Sequence, residues 1–229
     1  MRAVVLFGIG SPIIMDFVES CQRAECFIVA GVRNHTAPSF LPDAVRHVEF
    51  SNIESELLSI SCLCPLFTPL NRFKAVRQAE QRGFRFPHAL IDPTAIVASS
   101  AKIGGGSYVN AGAIVGAATR VSENVIINRG SSIGHHGRIG DFVSIGPGVT
   151  IAGQVTIGRG TLIGAGATLG PQVEIGEHSI VGAGAVIHAN IPSYRKAFGR
   201  PATVVGKNLG GFDLMEIDGR GSNPAGESG

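Results

Sequence analysis

His135 and His136 stand side by side in Gly134-His135-His136-Gly137. An imidazole, whose ordinary pKa lies near neutrality, can take a proton from an amine or a hydroxyl. Eighteen residues before and after His135 are Ala117 and Gly153. In a chain that repeats every eighteen residues, such small neighbours leave a bare groove beside the imidazole. That groove suits a thioester, and the Gly153 N–H could donate to a developing oxyanion. The plainer alternative is a pair of solvated turn histidines. Asn110 and Asn128 are also eighteen apart. Because Asn tolerates left-handed φ, the default for that pair is a structural ladder, although Asn128 could reach the same groove. His88, His178 and His188 are lesser candidates. A three-histidine zinc site is not expected, since Gly140 and Asp141 stand where a further ligand would have to follow.

A second candidate is Gly8-Ile9-Gly10-Ser11-Pro12, which follows an apolar run. Glycines at a strand-to-helix turn can cradle a phosphate on backbone N–H groups. The third glycine of a dinucleotide fingerprint is missing, and Arg33-Asn34 follows the second apolar run where an acidic ribose ligand would stand. Phosphate binding by Gly8, Gly10 and Ser11 and a merely tight turn both stay open.

The histidine pair needs a periodic scaffold, and the sequence supplies one. Stepping by six from Ile91 to Ile187 meets an aliphatic residue at all seventeen positions. A small or β-branched residue usually sits two before each, and Gly often sits one after. Residues two apart share one side of a strand, so the pair faces inward. The next residues turn a corner, where positive φ is cheap for Gly. Three strands and three corners make an 18-residue triangular coil, and the pattern predicts a left-handed parallel β-helix of hexapeptide repeats. Five to six coils at the inter-strand spacing give a prism about 27 Å long.

Composition agrees. The 229 residues include 32 Gly and no Trp, with 6% aromatic and 16% charged residues. A narrow triangular bore explains the shortage of large rings. The net charge of +2, without a dense Lys/Arg run, leaves no electrostatic footprint for nucleic acid. The apolar start from Ala3 to Met15 is broken by Gly8, Gly10 and Pro12, and reads as a buried strand running into a glycine turn rather than a signal peptide. No membrane span is expected. Cys21, Cys26, Cys62 and Cys64 lack metal-ligand spacing and read as free thiols of a reducing cytoplasm.

Residues 1–85 lack the hexad and read as a small Rossmann-like α/β domain. Strands are expected over Ala3–Phe7, Cys26–Val32 and Leu63–Phe67, and helices over Ile13–Cys21 and Arg72–Arg82. The prism takes 86–192 and a C-terminal cap 193–209, and the Gly-rich tail 210–229 is expected to be disordered.

The hexapeptide run, the segment from Ser132 to Phe142, the closing Gly199-Arg200-Pro201-Ala202 and the preceding α/β region together resemble the NeuD/PglD-type sugar O- and N-acetyltransferases. The resemblance extends to about residue 207. It implies a homotrimer with active sites in the clefts between adjacent prisms. It also implies acetyl-CoA as donor, and a nucleotide-linked amino sugar or related carbohydrate as acceptor, held partly by the N-terminal domain. His135 becomes the general base, Gly153 the oxyanion donor, and Asn128 falls on an active-site position. Gly146, Gly153, Gly164 and Ala165 would meet the donor as coil-edge backbone, and Lys196 or Arg200, with Arg195, its phosphates. The chain departs from the family where His136 replaces the usual Asp or Glu, Ser144 replaces a second histidine, and Gly134 replaces an acid before the base. Two alternatives follow: a catalytically impaired trimeric scaffold, and an acyltransferase with a non-sugar acceptor such as an amino acid.

Overall fold

The computed structural model of the chain describes residues 3–36 and 38–208. The tail from 210, expected to be disordered, lies outside the described residues. The chain opens with β1 (Ala3–Phe7), α1 (Ile14–Arg23), β2 (Phe27–Arg33), β3 (His47–Glu49), β4 (Cys62–Leu63) and α2 (Pro69–Gln81). The four strands form a parallel sheet in the order β3-β2-β1-β4. Val4, Val5, Leu6 and Phe7 are all fully buried, as a central parallel strand covered on both faces requires. α2 starts three residues before its expected beginning, because Pro69 occupies the first turn, where its fixed φ suits a helix. The last strand is shorter than expected, with only Cys62 and Leu63 on the ladder. All four cysteines are free and buried, and burial pushes the thiols up.

Seventeen two-residue strands follow, β5–β21, from Leu90–Ile91 to Val186–Ile187. Each of the first fourteen pairs in parallel with the strand eighteen residues on, as in Ile127↔Ile145, Ile133↔Ile151 and Ile139↔Ile157. The aliphatic positions from Val109 to Ile187 form one continuous buried core, and the prism is the left-handed β-helix. Ile91 departs from the ladder. It is 38% exposed, since no coil lies beneath it, while its neighbour Leu90 is buried.

The three faces differ in what they turn outward. Face one carries Leu90, Tyr108, Ile126, Ser144, Leu162 and Ile180; face two Ile96, Ile114, Ser132, Thr150, Thr168 and Val186; face three Lys102, Arg120, Arg138, Thr156 and Glu174. Face two carries no charge. β22 (Arg195–Gly199) extends face one beside Ile180–Val181, and β23 (Ala202–Lys207) returns antiparallel to it.

The α/β layer sits on face one. Leu90, Tyr108 and Ile126 share a core with Phe17 and Val18 of α1, and Phe142 joins the core beneath α2. Two polar ties lock the layers. Asp92, fully buried, accepts hydrogen bonds from Ser20 (2.5 Å), Arg23 (2.9 Å) and Thr94. Arg72, also fully buried, donates to the carbonyls of Leu66, Phe67, Asn124, Phe142 and Val143 and to the Ser144 hydroxyl. Burial lowers the Arg72 pKa, and the backbone carbonyls supply the solvation that water would have given. Ser144 is thereby a structural residue of the layer contact.

Candidate active site

His135 sits on the corner between faces two and three. A Cβ on Gly153, one coil along, would lie 2.6 Å from its Nε2 and 2.7 Å from its Cε1. The groove is therefore not bare: the imidazole itself lies across Gly153, in the space that any other residue would fill. The next coil holds the corner in place, with the Gln154 N–H donating to the His135 carbonyl (2.8 Å) and the Gln172 N–H to the Gly153 carbonyl (3.1 Å). The Gly153 N–H itself finds no acceptor among the described residues. His136 takes a left-handed φ of 56° at the turn. Its Nδ1 lies 3.1 Å from Nδ1 of His135, with the ring planes 85° apart.

Asn128 is elsewhere. It stands on the corner between faces one and two, where its Oδ1 accepts from Asn110 Nδ2 (2.9 Å) and from the Arg129 N–H (2.7 Å). Within one chain it does not reach the His135 groove, and the ladder reading holds. Asp16 of α1 braces this corner, accepting from Asn110 (3.1 Å) and Arg129 (2.8 Å). Gly146, Gly164 and Ala165 continue the same corner. A Cβ on Gly146 would lie 2.7 Å from the Ala165 nitrogen, so that glycine is demanded by close stacking of backbone on backbone. The site residues thus divide between two edges of the uncharged face two: Asn128, Gly146, Gly164 and Ala165 on one, His135, His136 and Gly153 on the other. Arg200 is tied to the last coil through its Nε, which donates to the Gly184 carbonyl, and Lys196 is half-buried in β22. His178 is buried, with its ring against Tyr194 (5.1 Å).

A cavity of about 530 Å³ opens between the β1–α1 turn and the start of α2. Gly10 and Ser11 line it. Gly8 does not: with φ at 87° it turns the chain beneath Leu66, whose Cδ1 would lie 3.0 Å from an added Cβ. The first N–H groups of α1 are already spent, Ile14, Met15 and Asp16 donating to the carbonyls of Ser11, Pro12 and Ile13. That helix end offers no free N–H of its own, whereas the N–H groups of Gly10 and Ser11 in the turn before it find no acceptor among the described residues. α2 offers what α1 does not. Thr68, Asn71 and Lys74 line the cavity, and the Leu70 and Asn71 N–H groups have no acceptor among the described residues, leaving the positive end of the helix dipole open. Asn34, just past β2, donates to Gln78 Oε1 (2.8 Å), while its own Oδ1 is buried without a partner. Among the described residues no carboxylate lines the cavity. Reading for glycine turns passed over Asn71, Lys74 and Gln78, yet their spacing of three and four puts them on one helix face.

Among the described residues no three metal-ligating side chains converge, and no helix is long and apolar enough to cross a membrane.

The bacterial transferase hexapeptide (six repeats) model matches residues 136–171 and 154–189. No curated protein matches the chain by sequence. Among solved structures, a histidine-to-asparagine mutant of perosamine N-acetyltransferase from Caulobacter crescentus, in complex with CoA and GDP-perosamine, is 28% identical. It superposes with a TM-score of 0.79 over 90% of this chain and 98% of that one. The acetyltransferase domain of PglB from Neisseria gonorrhoeae, in complex with acetyl coenzyme A, is 27% identical, with a TM-score of 0.78 over 89% and 99%. WeeI from Acinetobacter baumannii, 21% identical with a TM-score of 0.73 over 90% and 100%, shares the fold. A hexapeptide prism of this kind, preceded by a parallel α/β layer, defines a left-handed β-helix acyltransferase. Within that class, the chain resembles the sugar acetyltransferases of the NeuD/PglD type.

Proposed function

We propose that the protein transfers the acetyl group of acetyl-CoA to an amino group of a nucleotide-linked sugar, at sites shared between the copies of a homotrimer. The observation that carries this reading is the His135 imidazole laid over Gly153, beside a backbone N–H with no acceptor. The sugar amine attacks the thioester carbonyl while His135 Nε2 takes the amine proton. The Gly153 N–H donates to the oxyanion, the C–S bond breaks, and the proton passes from Nε2 to the departing thiolate. Amide and free CoA result.

The two edges of face two support the trimer. If face two of each copy turns toward a threefold axis, the His135 edge of one copy lies beside the Asn128–Gly146–Gly164 edge of the next. Ile96 and Ile114, 65% and 43% exposed in a single chain, would be covered in the same step. The donor would run along the coil edge at Gly146, Gly153, Gly164 and Ala165, with Lys196 and Arg200 toward its phosphates. The cavity beside α2 suits the nucleoside diphosphate of the acceptor: its size is in the range of small-molecule sites, and its charge is positive through Lys74. Gly10 and Ser11 keep their expected role there.

The test is incubation with acetyl-CoA and UDP-, GDP- and dTDP-linked amino sugars, following thiol release and the mass of the acetylated product. One or more amino sugars should be acetylated well above thioester hydrolysis, and the matching deoxy sugars should not. Hydrolysis rates alone with every amino sugar would overturn the reading.

A further inference from the structure

Nδ1 of His135 and Nδ1 of His136 are 3.1 Å apart. Two bare lone pairs would repel at that distance, so one proton lies between them. Two neutral arrangements meet this condition. In the first, His135 is protonated on Nδ1 and keeps a lone pair on Nε2, the atom poised over Gly153, while His136 accepts. In the second, His136 donates, and Nε2 of His135 carries the proton and cannot act as a base. Only the first is productive.

We propose that His136 is the positioning residue of the base, a neutral imidazole that accepts the His135 Nδ1–H and so fixes the tautomer leaving Nε2 free. The inference rests on His135 being the base. The turn holds the pair together: His136 stands at a φ of 56° with its ring centroid 5.2 Å from that of His135. Among the described residues no other titratable group takes the role. The corner residues of the coils packed above and below are Ala117, Ala118, Gly153 and Gln154, and the flanking strands carry Ser132 and Arg138. Arg138 faces a groove on face three with Arg120, Asp141 and Arg159.

The proton balance is simple. When Nε2 takes the amine proton, His135 becomes an imidazolium whose Nδ1–H still donates to neutral His136. When Nε2 gives that proton to the thiolate, the neutral pair returns. If the free enzyme has already taken up one proton, Nε2 is blocked. A second proton goes to His136 and breaks the hydrogen bond. The working form is therefore the neutral pair.

Three variants test this. His136→Gly removes the acceptor and suits the left-handed turn, His136→Asn keeps an amide acceptor there, and His136→Asp substitutes a carboxylate. The tautomer of His135 is read from long-range 15N–1H correlations of histidine-labelled trimer, with no substrate required. The expected results are an Nδ1–H tautomer in the wild type and its loss in His136→Gly. In that variant kcat should fall about tenfold or more, toward the 10²–10⁴-fold limit of a lost general base, with both KM values within about twofold. His136→Asn should recover most of the loss. His136→Asp should move the acid limb of kcat/KM upward by about one pH unit, since a carboxylate favours the imidazolium. The proposal is overturned if His136→Gly leaves both the His135 tautomer and the pH profile unchanged. Turnover that depends on His135 but is indifferent to His136 overturns the positioning role alone. A paired tautomer in a protein that acetylates no amino sugar overturns the catalytic reading on which it rests.

Discussion

Gly153→Ala isolates the contact on which the site is built. The added methyl would start 2.6 Å from His135 Nε2, whereas ordinary van der Waals contact begins at 3.4 Å, so the imidazole must retreat by about 0.8 Å. The backbone offers no relief, because the Gly153 carbonyl and the Gln154 N–H are both bonded to neighbouring coils. Gly153 is not among the residues with positive φ, so alanine fits its backbone and the coil should still fold. A displacement near 1 Å at a reacting group costs about a hundredfold, or about 2.7 kcal/mol of barrier. Acetyl transfer from acetyl-CoA to the amino sugar should fall by about that factor in kcat, with the melting temperature within about 2 °C of wild type. A Gly153→Ala enzyme that folds normally and turns over within twofold of wild type would refute the placement of the imidazole over this glycine.

Three further outcomes follow from the same structure. Burial works to raise the Asp92 carboxyl, but hydrogen bonds from Arg23, Ser20 and Thr94 outweigh it and hold the group well below the usual carboxylate range. Its stabilising contribution is then full above the unfolded value near pH 4 and is lost as the pH falls below it. Asp92→Asn should cost about 1.5–3 kcal/mol at pH 7 in urea unfolding, and the gap to wild type should narrow as the pH drops below about 4. Lys74→Ala should weaken binding of a nucleoside diphosphate about tenfold by calorimetry, from loss of a charge-assisted hydrogen bond, and leave CoA binding unchanged. Ile114→Asp should dissociate the trimer in sedimentation, because the threefold axis would gather unpaired buried carboxylates; a trimer unchanged in mass would rule out face two as the interface.

The prism was legible because hexapeptide packing is periodic. Each inward aliphatic residue, from Val109 to Ile187, meets its equivalent eighteen residues away, and the chain writes that register out residue by residue. His135 was legible for the same reason, since counting eighteen places Gly153 beside it. Counting does not show what fills the space. The imidazole lies in the groove that the small neighbours seemed to leave empty, and Asn128 belongs to the other edge of the face, where Asn110 and Arg129 engage its oxygen. The cavity was hidden for a different reason. It is lined by the start of α2, the end of β2 and the β1–α1 turn, which are far apart in sequence and joined only by the parallel sheet. The glycines that drew attention to this region include one, Gly8, that only shapes the turn. Arg72 stood only as the first residue of the expected second helix. Nothing in a single sequence shows that its six partners are five backbone carbonyls and a serine hydroxyl.

The most direct test of the account is the acetyl-transfer rate of His135→Asn, measured with the best amino-sugar acceptor at saturating acetyl-CoA. The account expects kcat to fall by about 10²–10⁴, while acetyl-CoA and the nucleotide sugar still bind with near wild-type affinity and the trimer stays intact. A His135→Asn enzyme that acetylates the sugar at the wild-type rate would contradict it.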